Sequence, residues 1–232
     1  MYKKYSHILK KVKLFEGLSE KETETALEYL SEKNIKYKKG DTIINAGEPV
    51  KNIGLVLSGS IQILKDDFNG SRSIIAQFYP SEIFAEALVC AQAEKSPVTA
   101  AAAADCEIAF IPFHNITDYS PLTKKFQSKI ISNMLNILAE KNIFLNNKIE
   151  HLSKRSIREK LLSYLKEESR KHNSKEFSIP FNRYELADFL FLDRSAMSRE
   201  LGKMQNDDLI EFNKNRFKLR RLIQKKNKFC SK

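Results

Sequence analysis

The sequence predicts an α+β chain: an N-terminal antiparallel β-barrel or jelly roll, one long helix, and a C-terminal winged helix-turn-helix. Three observations predict it. Residues 41–111 fall into short alternating runs broken by turns, residues 122–152 carry a heptad repeat, and residues 153–232 alternate helical stripes with short β runs. The expected division is therefore 1–120, 121–152 and 153–232. At 232 residues, with 42% hydrophobic content, two modest domains can each bury a core.

A helix is expected from about Glu20 to Glu32. Ser19 and Glu22 have capping-box spacing, and Ala26, Leu27 and Leu30 form one apolar stripe. Leu14 and Phe15, just before it, can join the same core. In the barrel region Ile53, Leu55 and Leu57 alternate with Gly54, Val56 and Ser58, and Ile61 and Ile63 alternate with Ser60, Gln62 and Leu64. Ser58-Gly59 and Asn69-Gly70 are turn signals, the second suited to a tight hairpin. Such a barrel can enclose a small molecule or only a core.

From about Leu122 the period lengthens. Ile131, Leu138, Leu145 and Leu152 recur every seven residues, and Leu135, Asn142 and Ile149 form the second seam. A long helix with one apolar seam needs a partner. A second copy of the chain supplies one, with Asn142 able to fix register; the chain's own barrel is the alternative.

In the last third, a helix near Ile157–Glu168 presents Leu161, Leu162 and Leu165, and a short strand Glu176–Ile179 follows. Asn182 and Glu185 cap a second helix, Arg183–Leu190. After the break Phe191-Leu192-Asp193, Asp193 caps a third helix, Arg194–Asn206. Leu209–Phe212, a turn at Asn213-Lys214-Asn215, and Arg216–Leu219 read as a hairpin. This is the layout of a winged helix-turn-helix.

Charge agrees with that layout. The formal net charge is +11; residues 151–232 hold 21 Lys+Arg against 11 Asp+Glu, whereas residues 1–150 hold 19 against 18. A basic segment can be merely a solubilising surface, but a basic domain joined to a neutral one favours a polyanionic partner, and the helix-turn-helix layout makes that partner double-stranded DNA. On a helical wheel of the third helix, Met197, Leu201 and Met204 cluster within about 60° and form the buried face. Arg194, Ser195, Ser198 and Arg199 lie opposite, starting in the first turn. Arginine offers a donor fork for guanine, and serine can pair with base edges or phosphate. Lys203, off that face, and Lys214, Arg216 and Lys218 on the wing are phosphate candidates, with Arg183 a weaker one. The bland reading makes Arg199 and Glu200 a solvated pair and gives Arg194 a local salt bridge.

Other classes find little footing. No apolar run is long enough to span a membrane, and the N-terminal stretch lacks the pattern of a secretory signal, so a cytoplasmic protein is expected. Cys90, Cys106 and Cys230 form neither a disulfide framework nor a metal motif. A metal-dependent barrel enzyme would need a His/Glu set on the strands, and His7, His114, His151 and His172 are scattered. No catalytic or metal site is expected. A protein-binding adaptor leaves the arginine-and-serine face unexplained.

The segment ELADFLFLDRSAMSRELGKMQNDDLIEF and the following KNRFKLR resemble the helix-turn-helix and wing of the Crp/Fnr superfamily, the cyclic-AMP receptor protein type of bacterial regulator. The resemblance is strongest from about 180 to 220, looser through 15–111, and extends to the order of parts. It implies a homodimeric transcription regulator, with Ser195, Ser198 and Arg199 at base-reading positions and Arg194 just before them. It also implies a sensor barrel, here with a degenerate cyclic-nucleotide cassette. In IFAEALVCAQAEKSPVTAAAA, Glu86 and Ser96 match the cassette, while Ala85 replaces its glycine and Lys95 its arginine. Lysine loses the bidentate fork, and alanine crowds the close backbone approach that glycine permits. Typical cyclic-AMP binding is therefore not expected. An unknown small effector, a redox or heme response (His7 or His114 could ligate iron), and a vestigial, ligand-independent barrel stay open. The iron–sulfur branch needs an N-terminal cysteine cluster, and no cysteine precedes Cys90. RNA polymerase becomes a partner if the protein is an activator.

Overall fold

The computed structural model describes residues 2–66, 72–118 and 124–220. The chain divides into two compact units, Met1–Glu140 and Lys141–Lys232.

Unit one opens with α1 (Ser6–Leu9) and α2 (Glu20–Leu30). The Ser19 hydroxyl accepts the Glu22 N–H, and the Glu22 carboxylate accepts the Ser19 N–H at 3.0 Å, closing the expected capping box. The helix stops short of Glu32 because Ser31 turns extended, leading into β1 (Lys33–Tyr37). Then come β2 (Thr42–Ile44), β3 (Asn52–Ser58), β4 (Ile61–Asp66), β5 (Arg72–Phe78), β6 (Ile83–Phe84), α3 (Glu86–Cys90), β7 (Thr99–Ala102), β8 (Cys106–Pro112) and α4 (Phe113–Thr117). They form two four-stranded sheets, ordered β1-β8-β3-β6 and β2-β7-β4-β5, every pairing antiparallel. The expected Asn69-Gly70 turn between β4 and β5 lies outside the described residues.

The alternation in β3 has two buried sides. Ile53, Leu55 and Leu57 pack outward on a core shared with Leu14, Phe15, Ala26, Leu27 and Leu30, while Val56 joins Phe84, Ile108 and Phe110 between the sheets. Each of these side chains removed from water contributes about 1.5–3 kcal/mol. Gly59, at the expected turn, has φ +74°, and a Cβ there would lie 2.1 Å from the Asp105 carbonyl oxygen. Gly59→Ala is therefore expected to cost about 2 kcal/mol, from the left-handed backbone and the clash together; chemical denaturation measures it.

Helix α5 (Lys124–Leu152) runs through both units; Leu122, where the heptad pattern begins, lies outside the described residues. In unit one its buried face is Phe126, Ile130, Met134 and Ile137, and Asn133 donates to the carbonyls of Leu14 and Glu16, each at 2.9 Å. The heptad seam is largely a different face, although Leu138 packs against the unit-one core. Leu135, Leu145 and Ile149 are 62%, 55% and 64% exposed, Asn142 is exposed, and Ile131 is at 36%. Leu138 and Leu152 are half-buried. No helix among the described residues is long and apolar enough to cross a membrane.

Unit two continues with α6 (Ile157–Lys171), β9 (Glu176–Ser178), α7 (Arg183–Phe189), α8 (Arg194–Asn206), β10 (Ile210–Asn213) and β11 (Arg216–Leu219). The three strands form one antiparallel sheet, ordered β10-β11-β9. Its core gathers Leu161, Leu165, Leu186, Leu190, Met197, Leu201, Met204, Ile210 and Phe217. His151, at the end of α5, is buried; its Nε2 lies 2.6 Å from Glu167 and its Nδ1 2.9 Å from the Ser163 hydroxyl. Only residues 153–156 separate α5 from α6, which starts at a Ser156–Glu159 capping box.

Candidate nucleic-acid interface and barrel cavity

Helix α8 is placed by local chemistry at both faces. Its start is fixed by Asp193, whose carboxylate accepts the Ala196 N–H at 2.8 Å and the Ser195 hydroxyl at 2.5 Å. Those two bonds hold the Asp193 carboxyl below its usual range. Met197, Leu201 and Met204 are wholly buried, so the opposite face is forced outward. Arg194, Ser195, Ser198 and Arg199 all stand exposed on it.

The partners of the neighbouring charges bear on what this face can do. Glu200 accepts from Arg158 at 2.5 Å, and Arg158 also reaches Asp207 at 2.7 Å. Glu200 is thus occupied from the other side. Arg199 and Ser198 have no side-chain hydrogen bond or ion pair among the described residues. Arg194 makes no salt bridge either; its guanidinium lies 4.2 Å over the Tyr184 ring and donates to the Tyr184 hydroxyl at 2.6 Å. Tyr184 was not a sequence candidate. Ten residues separate it from Arg194, and no helical or strand period connects them.

The remaining basic candidates divide. Lys203, Lys214 and Arg216 are exposed, the last two around the wing turn. Lys218 is half-buried, 3.7 Å from Glu176. Arg183 does not join the exposed set. Its guanidinium packs over Phe212 and Phe217 at 4.8 and 5.1 Å, one terminal nitrogen is buried without a partner, and burial lowers its pKa. Its cation packs on the wing's aromatic rings and is half-buried, which sets it apart from the exposed phosphate candidates.

In unit one, Ala85, Glu86 and Ser96 line a single cavity of about 160 Å³, walled by Ile44, Phe78 and Phe84. Ala85 adopts φ +65°, the left-handed conformation natural to glycine, and Glu86 behind it is 4% exposed. The buried Ser96 hydroxyl donates to the Val98 carbonyl at 2.7 Å and accepts the Val98 N–H at 3.3 Å. Lys95 is exposed and does not line the cavity. Among the described residues, no cation lines the cavity. The space is also smaller than the roughly 300–1,000 Å³ of ordinary small-molecule sites.

Family comparison follows the same division. Residues 34–119 match the cyclic nucleotide-binding domain, and residues 159–224 match the Crp-like helix-turn-helix domain. The chain belongs to the Crp/Fnr superfamily of transcription regulators. Among Crp/Fnr proteins it is 24% identical over 191 residues to transcriptional activator protein FnrA of Stutzerimonas stutzeri, covering 80% of this chain and 76% of that one. It is 25% identical to electron transport regulator A of Shewanella oneidensis, covering 80% and 74%. The fold matches the catabolite activator protein of Thermus thermophilus with a TM-score of 0.54 at 22% identity, over 90% and 93% of the two chains.

Within this Crp/Fnr frame, the other sensing candidates are weakly placed. Burial pushes the Cys90 and Cys106 thiols up, away from the reactive thiolate, and Cys230 lies outside the described residues. His7 and His114 are both exposed, and the described residues hold no cluster of three metal-ligating side chains.

The helix-turn-helix depends on its first cap as well as on Asp193. The Asn182 side chain accepts the Tyr184 and Glu185 N–H groups at 2.9 and 3.1 Å. Asn182→Ala is expected to lower the stability of unit two by about 1 kcal/mol. Because Tyr184 sits in the same turn, Arg194 loses its support too, and a thermal melt run beside a DNA titration registers both effects.

Proposed function

We propose that the protein is a homodimeric, sequence-specific DNA-binding regulator. Two copies pair along the α5 seam and set their α8 helices in successive major grooves. One observation carries the reading: Arg199 and Ser198 stand exposed on the free face of α8, while the acid beside Arg199 is engaged by Arg158. Arg194, braced on Tyr184, and the exposed Ser195 extend that face toward the first turn. Lys203, Lys214 and Arg216 would hold phosphates and set register. The seam supports pairing, since α5 packs onto unit one with Phe126, Ile130, Met134 and Ile137 and leaves Leu135 in that unit, and Leu145 and Ile149 in unit two, largely uncovered. A twofold dimer of this kind reads a palindrome whose half-sites lie about one helical turn apart.

A small effector in the barrel is the input this architecture suits, but the cavity is a poor host for a cyclic nucleotide. It is small and mainly apolar, and Lys95 lies outside it. The same restricted cavity favours a second reading, a ligand-independent regulator with a vestigial barrel. The relative from Stutzerimonas is named an activator; an activating role here would add RNA polymerase as a partner and place the protein in the cytoplasm.

Fluorescence anisotropy with a labelled duplex of mixed sequence tests the DNA reading. Affinity should fall linearly on a log–log plot against salt, by about 0.9 per phosphate neutralised. No binding even at low salt would contradict it.

A further inference from the structure

Unit two holds a second cavity, about 200 Å³, beside the end of α5. Four rings wall it: Phe144, Tyr164, Phe181 and Phe189. They brace one another, with centroids 4.9 Å apart for Phe181–Phe189, 5.5 Å for Tyr164–Phe189 and 6.0 Å for Phe144–Phe189. Most of the polar groups around it are satisfied. Glu167 takes Asn147 at 2.8 Å, His151 at 2.6 Å and Lys171 at 2.8 Å, and Lys171 also reaches Glu168 at 2.8 Å.

Two groups are left over. The Tyr164 hydroxyl is buried with no hydrogen-bond partner, although a phenylalanine would fill the same space at no such cost. Burial, together with Glu168 and Glu167, raises its pKa, so it stays a protonated donor. The Lys148 ammonium has no carboxylate among the described residues and lies only over the rings of Phe189 and Phe191, at 5.0 and 5.4 Å. An aromatic-walled space with a spare cation and a spare hydroxyl donor suits a flat anion. Its size suits one ring, since a cavity of about 150 Å³ already accepts benzene.

We propose that this cavity binds a small aromatic carboxylate, its ring among the phenylalanines and its carboxylate on Lys148 and the Tyr164 hydroxyl. The site belongs to the winged unit and is separate from the barrel cavity. It does not depend on the DNA reading, and its test contains no DNA.

The test is isothermal titration of the full-length protein with benzoate, with benzamide as the neutral isostere. Titration runs to about 10 mM, the weak limit for a ligand of about nine non-hydrogen atoms. Lys148→Gln and Tyr164→Phe are compared with the wild type. Lys148 is half-buried but makes no ion pair among the described residues, and Tyr164→Phe keeps the ring, so both variants should melt as cooperatively as the wild type. The expected result is benzoate binding, weaker for benzamide, reduced about tenfold by Lys148→Gln and several-fold by Tyr164→Phe. Absence of benzoate binding overturns the proposal. So does wild-type affinity in Lys148→Gln, which would place the ligand elsewhere in the protein.

Discussion

Leu145→Lys combined with Ile149→Lys should abolish dimerisation and, with it, tight DNA binding, while leaving the protomer folded. Both side chains are more than half exposed in the protomer, so its own core loses little. In a twofold dimer each substitution appears twice. Each is already partly covered in the protomer, so four apolar side chains worth about 1–2 kcal/mol apiece leave the interface, a loss of about 4 kcal/mol or more and at least about 1,000-fold in the dimer constant. Four lysines brought to one seam add repulsion. Sedimentation equilibrium should show a monomer with an unchanged melting curve. A variant that stays dimeric would move the interface away from this seam.

The second large effect is expected from Arg199→Ala. A bidentate arginine–guanine contact is worth about 1–3 kcal/mol, and a dimer on a palindrome makes it twice, so specific affinity should fall by about a hundredfold or more. Stability should not change, because Arg199 is exposed and has no ion pair among the described residues. Non-specific binding at low salt should weaken far less, since the proposed phosphate contacts Lys203, Lys214 and Arg216 remain. Equal losses on specific and random duplexes would make Arg199 a phosphate contact. Binding competition between the two duplexes separates these outcomes.

The parts of this molecule that local chemistry fixes were legible in its sequence. Helix α8 begins at Arg194 and ends at Asn206, as Asp193 and the Met197–Leu201–Met204 stripe imply. The capping pairs Ser19–Glu22 and Asn182–Glu185 both formed, because each needs only residues three apart. The barrel was readable as a class from its turns and alternating runs. Strand β1 was not: KNIKY is largely polar and only partly covered, so no alternation marks it. The double burial of β3 was hidden as well, because it depends on α2 and α5 packing over one sheet.

Legibility in the candidate sites follows the same rule. Which face of α8 is free follows from the wheel, but the removal of Glu200 by Arg158 involves residues 42 apart. The stacking of Arg194 on Tyr184 and the burial of Arg183 among wing aromatics are likewise products of tertiary packing. In the barrel, Lys95 and Ser96 are adjacent in sequence and read as one cassette. The fold buries the serine and leaves the lysine in solvent, a separation that adjacency conceals.

Selection of bound sequences from random duplex DNA, at one stated salt concentration and with no effector added, tests the dimeric-regulator account most directly. The account predicts enrichment of a palindrome with half-sites about one helical turn apart, and loss of that enrichment in Arg199→Ala. Enrichment of a single asymmetric half-site, or of the same sequence by wild type and Arg199→Ala, would contradict it.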